Sequence, residues 1–62
     1  MALPITKLKH WREKRFMSQQ ELHKDSKVAL GVISKAENGE KISLGSIKRL
    51  ADSLKVEPEK LI

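Results

Sequence analysis

Apolar residues recur at helical spacing through most of this 62-residue chain. Ile5, Leu8 and Trp11 stand three apart among basic and polar residues, which predicts an amphipathic first helix over residues 5 to 15, with Pro4 in its first turn and Trp11 as its core anchor. The run Met17-Ser18-Gln19-Gln20-Glu21-Leu22 opens a second helix: Ser18 can accept from the backbone N–H of Glu21, Glu21 can reach back to Ser18, and Met17 can staple onto Leu22. Leu22 is its one large apolar residue and the pattern restarts at Val28, so it stops near Asp25 or Ser26. A third helix, starting near Ala29 or Leu30, covers about 30 to 38, with Ile33 and Ala36 inward and Gly39 placed to end it in the left-handed conformation. Ser43 can cap a fourth, in which Leu44, Ile47, Leu50, Ala51 and Leu54 share one apolar face, the clearest periodicity in the chain. A turn through Lys55 and Val56 leads to Pro58, suited to begin a last short helix carrying Leu61 and Ile62. The pattern holds no strand, repeat or linker, so residues 1–62 read as one all-α domain of five helices.

Composition narrows what such a domain can do. A chain this short buries only about 60 % of the surface that it exposes when unfolded, so packing and capping must supply the stability. Without cysteine there is no disulfide, thiolate metal site or cysteine nucleophile. His10 and His23 match no metal-ligand spacing, and neither a Ser-His-acid set nor paired carboxylates stand out, so no metal, cofactor or catalytic activity is expected. Apolar runs are far shorter than the roughly 20 residues of a membrane span, and no signal-peptide h-region opens the chain, so a cytoplasmic protein with no membrane partner is expected. Thirteen Lys and Arg against eight Asp and Glu give a net charge of +5. The first twenty residues hold Lys7, Lys9, Arg12, Lys14 and Arg15 against Glu13 alone. That bias favours a polyanionic partner, whose condensed counterions are released as Lys and Arg neutralise phosphates.

Two short helices joined by a turn of three or four residues, the second followed by Asn38-Gly39, form a unit that fits a groove about 12 Å wide. At this point the chain resembles the Cro and lambda-repressor type of helix-turn-helix proteins, also called the xenobiotic-response-element family. The likeness runs from about Leu8 to Leu61 and rests on Leu8, Trp11-Arg12, Arg15, Met17 to Leu22, Val28, Ile33-Ser34-Lys35, Glu37-Asn38-Gly39, and Ile47 to Ala51 with Leu54, Val56 and Leu61. It implies a five-helix lambda-repressor-like fold with the helix-turn-helix at about 18–38. It also implies that Gln19 and Asn38 grip phosphates, that Arg12 and Glu37 pair between helices 1 and 3 with Arg12 beside the DNA backbone, and that Lys41 makes backbone contacts. The chain departs from the family where Phe16 and Lys27 replace turn glycines, and in a plain recognition helix, Ala29 to Ala36.

With Ile33 at the centre of the buried face, Gly31, Ser34, Lys35 and Asn38 fall on the outer face and Leu30 on its margin. Lys35 can donate to guanine O6 or N7, Ser34 to several base edges, and Leu30 can meet a thymine methyl, while Gly31 permits close backbone approach. The expected function is therefore sequence-specific recognition of double-stranded DNA by a transcriptional repressor. A protein-interaction module of the same fold, presenting Leu30, Gly31 and Val32, is the competing reading. One domain of this size covers little DNA, and Val56 and Ile62 exceed what helix 4 needs for its own face, so a homodimer is expected on a palindromic operator. The family likeness points to the same segment, with Leu54, Val56, Leu61 and Ile62 at the interface.

Overall fold

A computed structural model describes all 62 residues. In chain order the elements are strand β1 (Ala2–Pro4), helices α1 (Leu8–Lys14), α2 (Gln19–Ser26) and α3 (Leu30–Glu37), strand β2 (Lys41–Ser43), helix α4 (Leu44–Leu54) and a 3₁₀ turn (Pro58–Leu61). The fold is thus mainly helical, with four α-helices where five helices were expected, and the last element is the 3₁₀ turn. It also contains two strands where none was expected. β1 and β2 pair antiparallel, with Leu3 opposite Ile42, and Pro4 is tolerated because each strand of a two-stranded ribbon is an edge.

Helix 1 begins three residues later than its apolar spacing predicts. Thr6 and Lys7 donate their backbone N–H groups to the Leu61 carbonyl at 3.0 and 2.9 Å, which ties the start of the chain to its end. Ile5 is buried all the same, from the residue just after β1. A buried residue three positions before Leu8 mimics a helical turn without belonging to one. Trp11 lies at the rim of the core instead of inside it, and its Nε1–H donates to the Lys60 carbonyl at 3.1 Å.

The core joins every element except β1: Ile5, Leu8, Leu22, Val28, Ile33, Ala36, Ile42, Ile47, Leu50, Ala51, Leu54 and Leu61 form one buried cluster. Leu44, expected on the buried face of α4, is 44 % exposed, because it is the first residue of the helix and projects beyond the packed surface. Arg15 reaches across to donate Nε–H to the Leu54 carbonyl at 3.0 Å, closing the end of α4, and Ser53 donates to Asp25, tying α4 to α2.

Three helix ends share one device, in which a left-handed residue lets two successive N–H groups turn back onto the last carbonyls. At α3 that residue is Gly39 (φ 85°), with Gly39 donating to Ala36 and Glu40 to Lys35. At α1 it is Phe16 (φ 56°), and at α4 Lys55 (φ 59°). Left-handed backbone costs a side-chain-bearing residue about 1–2 kcal/mol. Lys55→Gly is expected to stabilise the fold by about 0.5–1 kcal/mol, the relieved strain less the greater freedom of unfolded glycine, as read by urea denaturation.

Candidate nucleic-acid interface

The second helix starts on a capping box: Ser18 Oγ accepts from the Glu21 N–H at 3.0 Å and Glu21 Oε1 accepts from the Ser18 N–H at 2.8 Å. It ends at Lys27, which adopts φ 61°, and the turn to α3 is held from inside. Buried Ser26 donates Oγ–H to the Leu22 carbonyl at 2.6 Å and accepts from the Val28 N–H at 3.2 Å. His23, expected at the surface, is half-buried with Nδ1 2.6 Å from the Val28 carbonyl. Neither role was visible in the sequence, because a polar residue that bonds a backbone carbonyl leaves no periodic trace. Val28 anchors this turn in the core.

One polar lattice joins the first three helices. Arg12 Nε–H donates to Glu37 Oε2 at 2.6 Å and Nη2–H to Glu37 Oε1 at 3.2 Å, while Nη1–H donates to the Met17 carbonyl at 2.8 Å. Gln19 Nε2–H donates to the same Glu37 Oε1 at 3.0 Å. The Arg12 and Glu37 side chains are only 11 % and 7 % exposed, so water competes weakly for the pair. Its hydrogen bond to Glu37 raises the Arg12 pKa against the opposing effect of burial. Burial pushes the Glu37 carboxyl up, but hydrogen bonds from Arg12 and Gln19 and the charges of Arg12 and Lys9 outweigh it and hold the pKa below the ordinary value. Both groups stay charged at neutral pH, so the start of α2 is locked to the last turn of α3.

Helix α3 turns Ile33 and Ala36 into the core and presents Gly31, Lys35 and Asn38 exposed, with Leu30 and Ser34 half-buried on the margin. Asn38 ends the helix and Lys41 opens β2, exposed just beyond it. A Cβ built on Gly31 would meet nothing within 4 Å. Gln19 is half-buried and its amide is already engaged, so any group that it also contacts must share it with Glu37. At the far end, the interface expected from the sequence needs correction. Leu54 and Leu61 are wholly buried in the protomer's own core, which leaves half-buried Val56 and Ile62, 51 % exposed, as the outward apolar residues.

A short second helix, a three-residue turn and a third helix with an outward polar row, braced by a half-buried ion pair, define a helix-turn-helix domain. The helix-turn-helix family model matches residues 8–61, and the chain belongs to that family, in its Cro and lambda-repressor branch of DNA-binding transcription regulators. Among solved structures, the chain is similar to the restriction-modification controller protein C.AhdI from Aeromonas hydrophila, with 30 % identity, a TM-score of 0.83, and coverage of 90 % of this chain and 86 % of that one. No curated protein matches the sequence. No helix is long and apolar enough to cross a membrane.

Proposed function

We propose that the protein is a sequence-specific repressor that binds a palindromic operator as a homodimer and inserts α3 into the major groove of double-stranded DNA. The observation that carries this reading is the exposed row Gly31, Lys35 and Asn38, with Leu30 and Ser34 beside it, on a helix locked by Arg12, Glu37 and Gln19. A helix that reads base edges must hold its register to a fraction of a hydrogen-bond length, and a half-buried lattice that spans three helices supplies that rigidity. Lys35 and Ser34 take the base-reading role and Leu30 the thymine methyl. Asn38, Gln19 and Lys41 hold the backbone, and Arg12 acts mainly through the position of Gln19. The likeness to C.AhdI makes the promoter of a restriction-modification gene set the first natural operator to try.

Selection of duplexes from a random pool, followed by anisotropy titration of the selected and a scrambled duplex, tests the reading. A half-site repeated about one helical turn apart is expected. Equal affinity for selected and scrambled duplex would overturn it in favour of the protein-interaction module. Sedimentation is expected to show a dimer, weakened by Ile62→Asp; only monomer at high concentration, free and on DNA, would remove the homodimer.

Gly31→Ala separates fold from groove. Alanine in the first turns of α3 is expected to raise stability by roughly 0.5–1 kcal/mol. The added methyl points away from the protein, where the groove would lie, so affinity for the selected duplex is expected to fall about tenfold, equal to about 1.4 kcal/mol. Denaturation and titration of the one variant check both.

A further inference from the structure

Phe16 is the one phenylalanine in the chain, and it is 93 % exposed. It also holds φ 56°, a conformation for which glycine is the undemanding choice. Folding alone gains nothing from the ring. The turn that carries it is nonetheless firmly placed: Phe16 N–H donates to the Glu13 carbonyl at 2.9 Å and Met17 N–H to the Arg12 carbonyl at 3.1 Å. The Met17 carbonyl is in turn held by the guanidinium that grips Glu37. The backbone that carries the ring is therefore fixed, three residues before Gln19, which the reading above assigns to the DNA backbone. The two residues just before it, Lys14 and Arg15, are both basic and exposed. An exposed apolar ring that directly follows two exposed cations suits the DNA backbone, where the aliphatic face of each deoxyribose lies between two phosphates.

Resting on the reading above, we propose that Phe16 is a DNA-backbone contact whose ring packs on deoxyribose beside the sequence read by α3. Such a contact is independent of base sequence, since sugars carry none. It releases no counterions, so it adds affinity without adding to the salt dependence. The left-handed phenylalanine is then a residue kept for binding at the expense of the fold.

The test uses Phe16→Gly and the intact chain labelled with 4-fluorophenylalanine, which gives one fluorine resonance because there is one phenylalanine. Phe16→Gly is expected to unfold at higher temperature than the parent. It is also expected to bind selected and scrambled duplexes about tenfold more weakly, with the slope of log affinity against log salt unchanged. The fluorine resonance is expected to shift on addition of duplex. If the parent binds DNA while Phe16→Gly binds it equally well and the resonance stays in place, the contact is overturned and the DNA-binding reading stands. A Phe16→Gly variant that instead loses dimer in sedimentation, with binding otherwise as in the parent, assigns the ring to a second copy and overturns the proposal too. A parent that binds no duplex overturns both readings together.

Discussion

Glu37→Leu is expected to destabilise the protein by about 2–4 kcal/mol, and Arg12→Met by a similar amount, while the double variant loses less than either alone. The partner left behind explains the pattern. Glu37→Leu strands a guanidinium that is 11 % exposed, and Arg12→Met strands a carboxylate that is 7 % exposed, with Gln19 as its one remaining donor. Removing both leaves an apolar pair of similar volume between α1 and α3, with the Met17 carbonyl the main loss. A double-mutant cycle by urea denaturation measures the coupling, and strictly additive effects would refute it. DNA affinity is expected to fall in the double variant even where stability recovers, because Gln19 loses the carboxylate that orients its amide.

The same pair sets an acid limit. The Glu37 pKa lies below its ordinary value in the folded chain, so as pH falls the unfolded chain takes up the proton first. The stability that Glu37 contributes is complete above its unfolded pKa of about 4.3 and is lost as pH drops through the lower folded value. The gap between the parent and Glu37→Leu is therefore expected to narrow below about pH 4. Arg12, raised from a value that is already high, stays charged throughout and adds no such dependence at neutral or acid pH.

Features set by near neighbours were legible in the sequence, and those set by distant ones were not. The Ser18–Glu21 box and the left-handed Gly39 depend on residues within one turn, and both stand where the residue types put them. The β1–β2 ribbon depends on residues about forty apart, and three-residue strands are too short to show an alternation. Ile5 shows the converse failure, since its spacing fits a helix while it lies outside any helix, just before Thr6 and Lys7, which bond the Leu61 carbonyl. Leu54 and Leu61 look equally suited to a core or an interface as sequence, and only the packing assigns them inward. At the candidate interface, period alone puts Gly31, Lys35 and Asn38 outward, where they stand, while Ser34, expected with them, is half-buried. The engagement of Gln19 by Glu37 does not follow from period, because an amide that bridges two helices has no signature in either.

Four substitutions across the interface are expected to separate backbone contact from base reading. Lys35→Ala removes an exposed ammonium from the middle of α3 and is expected to reduce discrimination at one base position by about 1–3 kcal/mol. Asn38→Ala is expected to weaken binding to all duplexes alike, since phosphates carry no sequence, and to leave the salt slope unchanged because Asn38 is neutral. Gln19→Ala should do the same to affinity but also lower stability, because its amide is one of the donors to Glu37. That added loss tells Gln19 from Asn38, which has no side-chain tie to the lattice. Lys41→Ala, at a cation exposed on β2 just past the end of α3, is expected to flatten the slope of log affinity against log salt by about 0.9 for each site. Anisotropy titrations of selected and scrambled duplex at several salt concentrations read all four effects at once. A module that binds protein through Leu30 and Val32 predicts none of them, so four variants indistinguishable from the parent on both duplexes would remove α3 as the reading helix.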